Sequence, residues 1–246
     1  MDVLSVLGLL FAVAAVVAGL IIGGGAFESL INGPALLIVL GGTFGAAMVQ
    51  SQISMFLYSL KLMIWVFFPP QLAAQRNIQK IVDWSNIARK EGLLGLETIA
   101  ETEPDVFARK GLQLLVDGND PKMIKHVMRV EIDSKQQFNH SAACVIESMG
   151  RHSLVVGIIA AAIGLMQISE NPADINIIGS GLETALVALV YGIGFTQFVF
   201  VPFAGKLKSL IAAQARVQNM LLEGLLSIAE GENPRNIETK LQGFVT

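Results

Sequence analysis

All 17 lysines and arginines of this 246-residue chain fall in two stretches, Lys61–Arg151 and Lys206–Lys240. The remainder is dominated by long apolar runs: Val3–Ile22, a second beginning at Asn32, then Leu154–Ile168 and Ile177–Pro202. Lysine and arginine near the ends of a membrane span hold those ends in the cytoplasm. Four spans place both basic stretches on that side without exception. The chain is 53% apolar and only 15% charged, the balance of a polytopic membrane protein. Its net charge of −3 and lack of a basic run exclude nucleic acid as a partner.

The first run follows Asp2 and has no basic residue before it, so we read an uncleaved span and not a secretory signal. Gly23-Gly24-Gly25 and Glu28 make a short external turn. The second run reaches Phe68, about 37 residues, whereas about 20 suffice to cross a bilayer. Splitting it into two spans would bury Lys61 near mid-membrane, at roughly 2.5–3.5 kcal/mol. One span, Ala35–Gln50, followed by an interfacial amphipathic helix to Pro69-Pro70, avoids that cost.

Gln71–Gly150 reads as a helical cytoplasmic insertion. Ile78, Ile81, Val82 and Ser85 keep helical spacing, Gly92 interrupts it, and Pro104 breaks it. Asp120-Pro121 is a helix start, and that helix is expected to run past His126 and Cys144 towards the third span. His126 and His140 lack metal-ligand spacing, and a lone cysteine builds no disulfide framework. The tail carries an amphipathic helix from Ser209 and a last short helix begun by Asn233-Pro234. The fold class is therefore all-α. Residues 1–50 form spans one and two, 51–150 a cytoplasmic domain, 151–204 spans three and four, and 205–246 cytoplasmic helices.

The third and fourth spans form a hairpin rich in small residues, including Gly157, Ala160, Ala161, Gly164, Gly181 and Gly192. Small faces let backbones approach, and in lipid that is what packs helices. Such a hairpin is either a tight pair or a pore lining. Glu183, near the external end of the fourth span, reads as a mouth-lining carboxylate, so a proton path here needs a central carboxylate from another chain. No nucleotide loop, nucleophile motif or metal cluster is present; we expect no enzyme and no cofactor.

Several motifs resemble the A subunit of the bacterial flagellar motor stator, the MotA/PomA family, in its MotC form. They are Asn32-Gly33-Pro34 with Gly41-Gly42-Thr43, Ala88–Glu97, Arg109–Gly118, Tyr191-Gly192, Pro202 with Lys206-Leu207-Lys208, and Glu223-Gly224-Leu225 through Pro234. The resemblance implies an inner-membrane homopentamer with both termini cytoplasmic, surrounding two single-span B subunits (MotB/MotD-like) whose aspartate carries the ion. It implies that Arg89 and Glu97 face a rotor switch protein (FliG-like). It also implies that spans three and four line the ion path, at Gly157, Ala160, Ala161, Gly164, Thr184, Leu189, Tyr191 and Pro202. Sodium-type members place threonines on these spans; here the matching positions are Ala161 and Leu189, so proton coupling is expected. Leu154 stands where the family usually has a proline, which removes a fixed bend. Two alternatives remain: a TolQ/ExbB-like envelope transducer, and a weakly conducting or non-conducting pentameric scaffold.

Overall fold

The computed structural model describes residues 2–70, 72–170 and 172–244; Gln71 and the connector residue Asn171 lie outside them. The described residues are helical with no strand. Helix α1, Val3–Ile22, starts where the Asp2 carboxylate accepts the Leu4 amide. A 3-10 turn, Phe27–Leu30, leads to α2, Gly33–Gln50, capped by Asn32 with Pro34 in its first turn. Ser51 and Gln52 are extended, and α3, Ile53–Leu62, passes into a 3-10 turn at Met63–Val66. The apolar unit after Asn32 is thus one span and a separate short helix. Phe56, Ser59, Leu62 and Val66 form the buried stripe of that extension.

Next come α4, Ala74–Glu91; α5, Glu97–Thr102; and α6, Val106–Val116. Gly92 ends α4 at φ +78°, a conformation that favours glycine, and a 3-10 turn Leu93–Leu96 follows. Helix α7 begins at Pro121, as the Asp-Pro pair predicts, and runs unbroken for 50 residues to Glu170. Helix α8 spans Ile175–Gly194, capped by Asp174. A π-helical turn, Phe195–Phe200, joins it to α9, Val201–Ala229, and α10 spans Pro234–Gln242. The tail helix expected to begin near Ser209 is therefore the continuation of the fourth span. No glycine or proline lies between Lys206 and Glu223 to stop it.

Four helices among the described residues are long and apolar enough to cross a membrane: Val3–Ile22, Phe27–Gln50, Pro121–Glu170 and Ile175–Ala229. Helix α1 buries no residue; Leu4, Phe11 and Ile22 are 80, 78 and 87% exposed. Such a surface would drive aggregation in water, but in a bilayer it is solvated by acyl chains.

The chain divides into two compact units, Met1–Pro70 with His140–Ser209, and Gln71–Asn139 with Leu210–Thr246. The short helix after span two belongs to the first unit. The second has its own apolar core, including Ile81, Leu96, Leu112, Ile124, Leu225 and Ile237. Lys80 reaches the buried Glu103 at 2.7 Å, and Lys240 binds Glu223 at 2.6 Å.

Candidate functional site

Helix α7 presents Ser153, Gly157, Ala160 and Gly164 on one stripe, at i, i+4, i+7 and i+11. All four are buried, and they face the chain's own helices. A Cβ built on Gly157 would lie 2.8 Å from the Gly192 Cα, and one on Gly164 would lie 2.7 Å from the Gly181 carbonyl. Ala160 packs with Ala35, Val39, Val187 and Ala188. The Ser153 hydroxyl donates to the Gly192 carbonyl at 3.3 Å. The small stripe is thus a tight pair within one chain.

The remaining positions expected on the ion path are scattered around that pair. Ala161 is 7% exposed. It shares the stripe Leu154, Ile158 and Leu165, whose members are 39, 54 and 51% exposed. Leu189 is half-buried on the α8 stripe Leu182, Leu186 and Ile193, and Pro202 is exposed. Leu154, Ile158 and Leu165 on α7 and Leu182, Leu186 and Ile193 on α8 are among the apolar side chains these helices leave exposed in one chain, together with Val155, Ile159, Met166 and Val190. Glu183 is exposed and sits a little over two turns inside α8, deeper than expected from the run's start.

Thr184 and Tyr191 hold the loop before α2. The Asn32 side-chain amide donates to the Thr184 hydroxyl at 3.2 Å. The Tyr191 hydroxyl donates to the Leu30 carbonyl and accepts the Asn32 backbone N–H at 3.2 Å. At the other ends of these spans the Asp2 carboxylate pairs with Lys206. There also the Asp2 N–H donates to the Phe67 carbonyl at 2.8 Å, and His152 meets Gln50 at 2.8 Å. The start of α1, the end of α2 and the start of α9 therefore share one polar level, and the Leu30–Asn32 loop lies at the other. That arrangement agrees with four crossings.

The π-turn is the feature that sequence reasoning missed. Pro202 lacks an N–H, and its ring crowds the carbonyl four residues earlier, so the preceding turn cannot close as an α-helix without strain. Inside the widened turn, the buried Thr196 Oγ1 lies 2.7 Å from both the Gly150 and Gly192 carbonyls. One hydroxyl proton serves one carbonyl at a time, so the side chain can alternate between α7 and its own helix. A proline six residues after a threonine in an apolar span is the available signal. Helix α7 is continuous through Leu154, and among the described residues of spans three and four the irregular turn lies in the fourth.

Arg89 occupies the last turn of α4 and Glu97 the first turn of α5, the ends where helix dipoles favour each charge. Both are exposed, and among the described residues neither has an ion-pair partner. By contrast Lys80, Lys110 and Lys240 in the same unit are paired with Glu103, Glu131 and Glu223. Among the described residues no cluster of three metal-ligating side chains exists.

Residues 99–220 match the MotA/TolQ/ExbB proton channel family. A motility protein A of Helicobacter pylori is 33% identical over all of this chain and 95% of its own length. Two solved structures superpose over nearly the whole chain. One, of C. jejuni MotAB, has a TM-score of 0.95 at 26% identity, covering 100% of this chain and 96% of that one. The other, the flagellar MotAB stator complex of Bacillus subtilis, has a TM-score of 0.90 at 29% identity, covering 98 and 96%.

Proposed function

The chain belongs to the motility protein A (MotA/PomA) family of flagellar stator subunits, and from that premise we propose how its parts divide the work. It is the ion-conducting A subunit of a stator embedded in a membrane. We assign it the bacterial inner membrane with both termini cytoplasmic, five copies around two single-span B subunits, and no enzymatic step. The B subunit's aspartate carries the ion. The apolar stripes of Leu154, Ile158 and Leu165 on α7, and of Leu186 and Ile193 on α8, are the surfaces offered to B helices and to adjacent copies.

The observation that carries the reading is the contrast between a conducting hairpin with little chemistry and a second unit with uncommitted charge. The two apolar runs of the hairpin, Leu154–Ile168 and Ile177–Pro202, hold one carboxylate, Glu183, placed towards one end. Arg89 and Glu97, which no ion pair occupies among the described residues, are the contacts for a FliG-like rotor protein. Proton coupling follows from oxygen supply. Sodium needs a cage of oxygens, whereas Ala161 and Leu189 offer none and Thr184 and Tyr191 already bind Asn32 and Leu30. Expression with the cognate B subunit in cells lacking other stators tests the assignment. Restored swimming supports a motor subunit; restored envelope integrity without swimming supports a TolQ/ExbB-like transducer instead.

A further inference from the structure

We propose that the unit formed by Gln71–Asn139 and Leu210–Thr246 binds a soluble organic phosphate in a cavity of about 490 Å³ between α7 and α9. On α7, Lys125, Arg129 and Gln136 fall at i, i+4 and i+11, a single narrow stripe. On α9, Arg216, Asn219 and Glu223 do the same at i, i+3 and i+7. The two stripes line the same cavity.

Its charge is unbalanced. Glu223 is the one carboxylate in the lining; Lys240 pairs with it at 2.6 Å and also lies 3.7 Å from Glu232, so the three cations of the lining outnumber its single carboxylate. Arg129 has only a loose approach to Asp133, at 4.0 Å with both side chains mostly exposed. Lys125 and Arg216 have no ion-pair partner among the described residues. Three cations around one concavity raise its potential well above that of three scattered on a flat surface, and an anion relieves their mutual repulsion. Arginine and lysine together are what phosphate oxygens need.

The cavity also has an apolar floor of Ala215, Leu222 and Leu226, which are 5, 4 and 7% exposed, and Phe244 forms a wall. A bare phosphate would leave that floor wet. A phosphate ester with a flat or apolar body would cover it, and the volume is in the range of small-molecule sites. Asn219 donates to the Ala215 carbonyl at 2.9 Å, which leaves its side-chain oxygen to accept from such a body.

The test is calorimetric titration of the intact A/B complex in phosphatidylcholine nanodiscs, with pyrophosphate and adenosine monophosphate as probes. Both should bind. Arg216→Gln and Lys125→Gln should each weaken both by about tenfold, the usual effect of losing one charge-assisted hydrogen bond. Phe244→Ala should weaken adenosine monophosphate alone, and Arg216→Lys should retain pyrophosphate. Lys125 and Arg216 are exposed, so the charge variants keep the fold; Phe244 is half-buried against the core, and retained pyrophosphate binding shows that Phe244→Ala keeps the site folded. Failure of both probes with the unaltered complex, or binding indifferent to the charge variants, would overturn the site. Loss of binding on adding phosphatidylglycerol would give the cavity to a lipid headgroup and overturn the soluble ligand. Neither result bears on ion conduction, so this proposal fails separately from the stator reading.

Discussion

Gly157 and Gly192 meet backbone to backbone: a Cβ on either would lie 2.8–2.9 Å from the other's Cα. No flexible side chain stands there to give way. Gly157→Leu should therefore prevent the hairpin from closing inside each chain, and pentamer assembly should fail as a consequence. Overpacking of this kind costs about 1–3 kcal/mol or more. Gly179→Ala, where nothing lies within 4 Å, is the matched control. Native mass measurement should find pentamer for the control and little folded chain for Gly157→Leu.

Thr196 and Pro202 together define the π-turn. Thr196→Val removes the hydroxyl that ties α7 to that turn and should destabilise the hairpin by about 0.5–1.5 kcal/mol, with Thr196→Ser restoring it. Pro202→Ala returns an N–H and should let the turn relax to α-helix. A cryo-EM map of the Pro202→Ala complex that keeps the π-turn would show that proline is not its cause.

Much of the fold is legible in the sequence because its signals are local. Asp120-Pro121 and Asn233-Pro234 each open a helix, and Gly92 ends one, through caps and backbone angles set within a few residues. The lysine and arginine distribution reports a global constraint directly, since each charge avoids the bilayer by itself. What the sequence hides depends on partners distant along the chain. The glycine stripe of α7 marks a packing face but not whose helix packs there, and Gly157 finds Gly192 of its own chain. Tyr191 reaches Leu30 and Asn32 across about 160 positions, which no spacing rule anticipates.

Arg89 should act by charge on a partner and not on its own fold. Arg89→Glu is expected to impair swimming while leaving insertion and assembly unchanged, because the side chain is exposed and makes no ion pair among the described residues. Exposed contacts of this type contribute about 0.2–1 kcal/mol each and weaken with salt. Full swimming in the double variant Arg89→Glu, Glu97→Lys with an unaltered rotor would remove the assignment.

Lys240 is held above the ordinary lysine range, first by its hydrogen bond to Glu223 and then by the nearby charges of Glu223, Glu232 and Glu230. A raised amine pKa means the folded state binds the proton more tightly than the unfolded one. Its contribution is therefore complete below the ordinary lysine value of about 10.4 and is lost as pH rises through the folded value. Lys240→Met should lower the protease resistance of α10 at pH 7, and the difference from the unaltered chain should vanish in strong alkali. A difference that persists there would assign the effect to packing of the lysine stem.

Proton conduction with a B subunit, coupled to turning a rotor, is tested most directly by the rotation rate of single tethered motors carrying only this A/B pair. Sodium is replaced by potassium at constant proton-motive force. Rotation should continue unchanged, and it should stop when the B-subunit aspartate is replaced by asparagine. Arrest on sodium removal alone would contradict proton coupling, and rotation that survives loss of the aspartate would contradict the division of labour between the two subunits.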